Sequence, residues 1–283
     1  MIITAALDNW LAAALCEDIG TGDVTSEAII KPGMRGKAEV IAKQELVIAG
    51  LTPALRCFSL LDKTVILRAL KNDGENAKPF EALAAIEGNV QALLAAERTF
   101  LNVLQHLCGI ATLTARFVAA VSCTKARIVD TRKTLPGIRA LEKYAVRMGG
   151  GVNHRMGLYD HILIKDNHIK AAGGVTEAVT LAKYRVSFLG KVEVEVKDLL
   201  ECEKALAAGA DIIMLDNFKL DEIKNAAALV AGRAMLEVSG GVTIDRVAEL
   251  AQTGVDIISV GALTHSAPAA DISLELVSIE GNL

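Results

Sequence analysis

The hydrophobic and polar positions of the chain follow two patterns, and the change falls near residue 128. From residue 128 to residue 262, short aliphatic runs alternate with stretches rich in Ala, Leu, Glu and Lys. Strands that alternate with helices predict a parallel sheet, because parallel neighbours need a crossover connection. Uninterrupted apolar runs are typical of strands that are covered on both faces. Six strands are therefore predicted, at residues 128–130, 161–165, 191–196, 212–216, 235–239 and 257–261.

The chain before residue 128 has a different pattern. Residues 37–50 and 64–70 are predicted to be strands of a separate sheet, linked by the polar stretch 71–78. A long helix is predicted to begin near Gln91, where apolar side chains recur at helical spacing. The segment after Pro268 alternates between apolar and polar residues and is expected to return to this first sheet.

Composition narrows the possible classes of protein. The 283 residues are 52% hydrophobic and carry a formal net charge of −4, so nucleic acid is not an expected partner and any anion must bind in a local cationic pocket. Five scattered cysteines indicate reduced thiols. Acidic residues occur too early for a signal peptide, and no apolar run is expected to approach the roughly 18 residues of a membrane span. We therefore expect a cytoplasmic protein that does not bind membranes.

Polar residues end each predicted parallel strand. In a parallel barrel the active site forms at the carboxyl ends of the strands, so these residues are expected to lie together. No G-x-G-x-x-G motif opens the first unit, which favours a barrel, complete or incomplete, over a doubly wound sheet. The residues at strand ends are Asp130, Thr131, Arg132, Lys133, Lys165, Glu195, Asp216, Ser239, Gly240, Gly241, Val260, Gly261 and Ala262.

Cations gather at this predicted mouth although the chain is acidic. Arg132, Lys133, His154, Arg155 and Lys165 would hold carboxylates or phosphates by charge-assisted hydrogen bonds. Lys165 directly follows a buried strand, and two roles remain open for it: an anion clamp, or a Schiff-base lysine whose pKa is lowered by burial.

Carboxylates and glycines at other strand ends suggest further roles. Glu195 and Asp216 end neighbouring strands and could act as acid and base, hold Mg²⁺ through water, or bind ribose hydroxyls. The turns at 239–241 and 260–262 follow late strands, where barrels often bind phosphate through backbone N–H groups. Arg98 lies within an apolar helical stripe, so it either reaches solvent or meets an anion across an interface.

Residues 130–169, DTRKTLPGIRALEKYAVRMGGGVNHRMGLYDHILIKDNHI, resemble the signature of the quinolinate phosphoribosyltransferases. The similarity extends over most of the chain, including EDIGTGDVTS at 17–26, VEVEV at 192–196 and LEVSGG at 236–241. The family is a group of glycosyltransferases that convert quinolinate and phosphoribosyl pyrophosphate to nicotinate mononucleotide, pyrophosphate and carbon dioxide in NAD biosynthesis.

The resemblance implies an N-terminal α/β sandwich over residues 1–108, joined by residues 269–283, and an open, seven-element-like α/β barrel over residues 109–268. It also implies a homodimer with a shared active site, to which Arg98 would be contributed from the neighbouring subunit.

The resemblance further implies which residues bind each substrate. Quinolinate would contact Arg98, Thr131, Arg132, Lys133, His154, Arg155 and Lys165. Phosphoribosyl pyrophosphate would contact Lys133, Glu195, Asp216 and the two glycine turns, with Mg²⁺ held indirectly by Glu195 and Asp216 and no organic cofactor. The residues in catalytic roles would be Lys133, Lys165, Glu195 and Asp216.

Three alternatives remain open at this point. A class I aldolase-like lyase would use Lys165 as its Schiff base. A non-catalytic protein would bind anions without turnover. A phosphoribosyltransferase-like protein of the molybdenum operons would share the fold, although EKYAV and LIKDNH favour the quinolinate enzymes.

Overall fold

A computed structural model describes residues 4–280, so the outer ends of the predicted segments 1–108 and 269–283 lie outside the described residues. Two compact units are present. The first contains residues 4–113, 135–150 and 267–280, and the second contains residues 114–134 and 151–266. The helices are α1 Thr4–Ile19, α2 Val24–Ile29, α3 Leu51–Leu61, α4 Val90–Ala120, α5 Arg139–Met148, α6 Asp166–Ala172, α7 Val175–Arg185, α8 Leu199–Ala207, α9 Leu220–Val230, α10 Ile244–Ala251 and α11 Ala262–His265.

The strands form two larger sheets and one small one. They are β1 Arg35–Ala42, β2 Leu46–Val47, β3 Ile66–Ala69, β4 Asn76–Ala77, β5 Ala82–Asn89, β6 Arg127–Val129, β7 Ile162–Ile164, β8 Val192–Val196, β9 Ile212–Asp216, β10 Met235–Ser239, β11 Ile257–Ser259 and β12 Ile272–Ile279. The first unit holds an antiparallel sheet in the order β12-β1-β5-β3 and the small β2-β4 pair. The second holds a parallel sheet in the order β6-β11-β10-β9-β8-β7.

The core of the first unit lies between its antiparallel sheet and its helices. β1 alternates buried and less buried residues, which is the pattern of a strand with one face on the core. Phe58 of α3 packs against Phe100 of α4, with ring centroids 4.9 Å apart. Gly109 of α4 allows close backbone approach, because a Cβ there would lie 2.1 Å from the carbonyl oxygen of Pro268. This contact positions the chain just before β12.

Residues 135–150 group with the first unit, whereas the barrel was predicted to span residues 109–268. Two contacts of α5 account for the difference. Buried Glu142 lies 2.8 Å from Nε2 of His106, and the Tyr144 hydroxyl donates to Asp73 at 2.7 Å. Within the described residues the first unit is therefore built from three stretches of the chain, where two were expected, 1–108 and 269–283.

The six strands predicted from the aliphatic runs are present, and each observed end lies within two residues of the predicted one. In the second unit they form an open parallel sheet with connecting helices, which confirms the predicted fold class of an N-terminal sheet unit and an incomplete α/β barrel. Within the described residues this sheet has six strands, and one further parallel bridge joins Val129 to Val152.

Helix α4 contradicts the expectation that no apolar stretch of the chain approaches the length of a membrane span. By length and composition it could cross a bilayer, although no apolar run of that length was expected. The expectation was wrong because the apolar positions of α4 continue over 31 residues with few charges. Half of its most apolar stretch is buried within the fold, as is common for a core helix, so α4 is weak evidence for a membrane span.

Candidate active site

The register of the parallel strands places several predicted site residues on one face of the sheet. Glu195 of β8 pairs with Met214 of β9, and Asp216, two residues further, points to the same face because side chains alternate along a strand. Asp216 pairs with Ser239 of β10. Three of the predicted residues therefore lie side by side at the carboxyl ends of neighbouring strands, where barrel enzymes build their active sites.

Lys165, at the end of β7, forms an ion pair with Glu195. The Lys165 side chain is 45% exposed, whereas that of Glu195 is mostly buried. A Schiff-base lysine is activated by burial or by a neighbouring cation. The Lys165 side chain is partly exposed and paired with a carboxylate, so its environment favours the anion clamp.

Two arginines in the second unit have donors without an acceptor. Arg155 is only 7% exposed, and its Nη1 donates to the His161 carbonyl oxygen at 3.1 Å. The buried Nε atoms of Arg155 and Arg132 have no hydrogen-bond partner. Burial lowers the pKa of Arg155, and the nearby charge of Arg132 lowers it further. Two neighbouring guanidinium groups with unused donors form a site that an anion would stabilise.

The segment that carries Arg155 is held by Asp130, a fully buried residue directly after β6. Its Oδ2 accepts from Nδ2 of Asn153 at 2.6 Å, and its Oδ1 accepts from the backbone N–H of His154 at 2.9 Å. Nδ1 of His154 in turn accepts from the backbone N–H of Arg155 at 2.8 Å. Sequence reasoning placed Asp130 at a strand end, but its role in fixing residues 153–155 depends on folding.

A buried acidic cluster lies deeper in the barrel. Nε2 of His154 is 3.1 Å from Oε2 of Glu193 and 3.7 Å from Oε2 of Glu237. The two glutamates are 4% and 1% exposed, and the Oε1 atom of each has no hydrogen-bond partner. Burial raises the pKa of Glu237 to about 8, and the charge of Glu193 adds to this rise.

This cluster also borders a cavity of about 360 Å³, which is lined by residues that begin the strands, including Arg127, Ile212 and Met235. The cavity thus extends from the amino ends of the strands to His154 and Arg155, which also line it. The cluster was missed from the sequence, although charged residues at the inward positions of otherwise apolar strands were a signal.

One nitrogen and two carboxylate oxygens within 4.8 Å of one another could in principle hold a metal ion. The hydrogen bonds of His154 argue against it. A ring that binds a metal through Nε2 carries its proton on Nδ1. Nδ1 of His154 instead accepts a hydrogen bond, which requires that it carry no proton.

The residues predicted to bind the phosphate groups also lie close together, within the second unit. The Lys133 carbonyl accepts from the Thr264 hydroxyl at 2.7 Å, and a Cβ at Gly261 would lie 3.1 Å from Cδ of Lys133. Ala262 begins α11, and Val260 is buried beneath it. The Thr131 hydroxyl accepts from the backbone N–H of Lys133 at 3.0 Å and so shapes the turn that carries this lysine.

The turn after β10 requires glycine. Gly240 has φ of 95°, and a Cβ there would lie 2.2 Å from Oδ1 of Asn217, which itself has a positive φ of 57°. Gly241 follows with φ of 57° and is exposed. Glycine adopts this backbone conformation without strain, and its missing side chain leaves the region after Asp216 and Ser239 free of bulk.

Arg98 lies on the part of α4 that belongs to the first unit, and its side chain is exposed. Its predicted role at a barrel site, contributed from a second subunit, stays a prediction.

An open parallel α/β barrel with clustered cations, paired carboxylates and glycine turns at its carboxyl end defines an enzyme of the type that binds phosphorylated and carboxylated small molecules. The comparisons with known proteins specify it further. Residues 23–108 match the N-terminal domain of quinolinate phosphoribosyl transferase, and residues 110–275 match its C-terminal domain. The chain belongs to the quinolinate phosphoribosyl transferase family, which confirms the resemblance seen in residues 130–169.

Individual relatives agree over nearly the whole length. A protein of Bacillus subtilis named probable nicotinate-nucleotide pyrophosphorylase (carboxylating) is 45% identical over 260 residues, covering 92% of this chain and 90% of that protein. The crystal structure of NadC from Streptococcus pyogenes has a TM-score of 0.93 at 42% identity, covering 98% of this chain and 99% of that one. A nicotinate-nucleotide pyrophosphorylase from Francisella tularensis also reaches 0.93, at 41% identity, with 98% of both chains covered. These relatives are enzymes of the pentosyltransferase type, and the chain is a member of their family.

Proposed function

We propose that this chain joins quinolinate to phosphoribosyl pyrophosphate and releases pyrophosphate and carbon dioxide, giving nicotinate mononucleotide for NAD biosynthesis. The observation that carries the proposal is the pair of unpartnered Nε donors of Arg132 and Arg155, two neighbouring arginines of the second unit. Quinolinate is a dicarboxylate, and arginines bind carboxylates by charge-assisted, often bidentate hydrogen bonds. The names of the relatives point to the same substrate class.

The quinolinate pocket is proposed to contain Thr131, Arg132, Lys133, His154, Arg155 and Lys165, together with Arg98 from the second subunit of a homodimer. The contacts of the second unit support it: Thr131 shapes the turn that presents Lys133, and the Asp130 carboxylate fixes the segment that presents Arg155. Lys165 would bind a carboxylate while Glu195 holds it in place.

Phosphoribosyl pyrophosphate is proposed to lie beside this pocket. The ribose hydroxyls would bond to Glu195 and Asp216, and the 5′-phosphate would lie against the backbone at Ser239, Gly240 and Gly241 and at Val260, Gly261 and Ala262. Lys133, which contacts Gly261, would reach the pyrophosphate. Glu195 and Asp216 are hard oxygen donors on adjacent strands, which fits Mg²⁺ held through water. When bound, Mg²⁺ would offset the charge of the departing pyrophosphate.

The proposed reaction needs little proton transfer from the protein. The bond from C1′ of ribose to pyrophosphate breaks, and positive charge builds on the ribose, where Glu195 and Asp216 stabilise it. The pyridine nitrogen then forms a bond to C1′. The resulting pyridinium accepts the electron pair of the bond to the 2-carboxylate, carbon dioxide leaves, and the ring carbon takes a proton from water. Arg132 and Arg155 hold the substrate in place throughout.

The activity is tested with the purified chain, quinolinate, phosphoribosyl pyrophosphate and Mg²⁺, with product measured by mass spectrometry. We expect nicotinate mononucleotide and one pyrophosphate per turnover. Nicotinate is the control substrate, because it lacks the second carboxylate that the two arginines would bind. Binding of quinolinate without turnover, or equal use of nicotinate, would rule out the proposed reaction.

The shared site is tested by mixing two variants, Arg98→Ala and Lys165→Ala. Each homodimer is expected to have less than about one hundredth of wild-type kcat/KM, since a charged ligand contact is lost. After the subunits are exchanged, the mixed dimer has one site with both residues intact, so about a quarter of wild-type activity should return. Two Lys165 variants, Lys165→Ala and Lys165→Met, form the control mixture. No recovery above this control would show that Arg98 and Lys165 do not serve one site across a dimer.

A cytoplasmic location is also proposed. It rests on the five free cysteines, of which three are buried, because free thiols are common where the environment is reducing.

A further inference from the structure

We propose that Glu193 and Glu237 are positioning residues: their buried carboxyl groups beside Nε2 hold His154 with its proton on that nitrogen, and His154 in turn fixes the backbone of Arg155. The kinetic part of this inference rests on the proposed function. Neither glutamate lies among the residues predicted to touch a substrate.

The direction of each hydrogen bond around His154 follows from its partners. Nδ1 lies 2.8 Å from the backbone N–H of Arg155 and must accept, because an amide nitrogen can only donate. A ring that accepts at Nδ1 carries its proton on Nε2, and Nε2 lies 3.1 Å from a carboxylate oxygen of Glu193. Both ring nitrogens are therefore engaged inside the protein. His154 would line the quinolinate pocket without using a ring nitrogen to bind the substrate.

The two glutamates lie close together inside the fold. They are almost fully buried, and one carboxylate oxygen of each lies within 4.8 Å of the other, so two ionised carboxylates in such a position would repel each other strongly. If Glu237 keeps its proton, it can donate to Glu193, which then accepts from both Glu237 and His154. The raised pKa of Glu237 agrees with this arrangement.

His154 affects the position of Arg155 through hydrogen bonds to the backbone and to neighbouring residues. The His154 ring anchors the Arg155 N–H, the Asp130 carboxylate anchors the His154 N–H, and the His161 carbonyl anchors one end of the Arg155 guanidinium. With these three contacts in place, Nε of Arg155 is left for an anion. If the ring lost its acceptor at Glu193, Nδ1 could take the proton and would then face the Arg155 N–H donor to donor.

Two substitutions of Glu193 separate positioning from general stability. Glu193→Leu keeps similar bulk and removes the acceptor, whereas Glu193→Gln keeps an amide oxygen for His154 and an amide N–H for Glu237. We expect Glu193→Leu to raise the quinolinate KM about tenfold, since small misplacements of a binding group are costly. The KM for phosphoribosyl pyrophosphate should stay within about twofold, and Tm should not fall, because replacing buried charge by an apolar side chain is often neutral or stabilising. Glu193→Gln should restore the quinolinate KM to within about twofold of wild type.

Nitrogen-15 NMR of histidine-labelled protein reads the tautomer without any assay of activity. The His154 resonances, assigned by their loss in His154→Asn, should show the proton on Nε2 in wild type and in Glu193→Gln, and mixed tautomers in Glu193→Leu. A proton on Nδ1 in wild type would overturn the inference, as would an unchanged quinolinate KM in Glu193→Leu or a failure of Gln to rescue. If the wild-type protein forms no nicotinate mononucleotide, the proposed function is wrong. The NMR spectra then still test, by themselves, whether Glu193 and Glu237 keep the His154 proton on Nε2.

Discussion

Arg155→Ala is expected to lower kcat/KM for quinolinate roughly a thousandfold, which corresponds to about 4 kcal/mol of transition-state binding. The buried guanidinium has an Nε donor without a protein acceptor, and burial with a neighbouring arginine already lowers its pKa. A carboxylate that binds there gains a charge-assisted bond and relieves an unsatisfied buried donor, so both contributions are lost in the variant. Steady-state kinetics with quinolinate varied at saturating phosphoribosyl pyrophosphate measure the effect.

Two further variants make the Arg155 result interpretable. Arg155→Lys keeps a positive charge but loses the planar donor fork, so its kcat/KM should fall between those of wild type and Arg155→Ala. Arg185→Ala removes an exposed arginine at the end of α7 and should leave the kinetics unchanged. A loss of less than about tenfold in Arg155→Ala would mean that this guanidinium does not bind the reacting substrate.

Glu237→Gln is expected to remove a pH dependence of stability on the order of 4 kcal/mol between about pH 4.5 and pH 8. The pKa of Glu237 is raised from 4.5 to about 8 by burial and by the charge of Glu193. In this range the folded protein keeps the proton of Glu237 while the unfolded chain releases it, so wild-type stability falls as pH rises. Glutamine cannot ionise and imitates the protonated carboxyl, so the variant should be the more stable protein near pH 8.

Urea unfolding at several pH values, with the variant compared to wild type at each, measures this difference directly. Glu249→Gln, at an exposed position of α10, is the matched control and should follow wild type at every pH. If Glu237→Gln and wild type lost stability in parallel as the pH rose, Glu237 would not hold a proton in the folded protein.

The parallel sheet could be predicted from the sequence because its signal is local. Each aliphatic run, such as Ile212–Asp216, is bounded by glycine or polar residues, and its polar end marks the carboxyl edge. Lys165, Glu195 and Asp216 could be placed together for the same reason: parallel strands bring their ends to one side. The specific substrate required the resemblance in residues 130–169, since periodicity alone indicates only a site for phosphates and carboxylates.

Features that depend on tertiary pairing could not be found in this way. β5, Ala82–Asn89, was not predicted, because alanine and glycine have low strand propensity and the strand is set by its pairing with β1 on one side and β3 on the other. The grouping of residues 135–150 with the first unit depends on contacts of Glu142 and Tyr144 with residues far away in sequence. The link from Glu193 to His154 joins positions 39 residues apart, and no spacing rule describes it.

The acidic pair also affects which anions the mouth of the barrel can attract. Arg132 and Arg155 carry positive charge, and the buried Glu193 carboxylate carries negative charge close to Arg155. Opposite charges at so short a separation act at long range as a dipole, whose field falls off faster with distance than that of a single charge. The attraction is therefore strong for a small anion inside the mouth and weak for an extended polyanion outside it. A protein with a net charge of −4 can in this way concentrate small anions and still repel long ones.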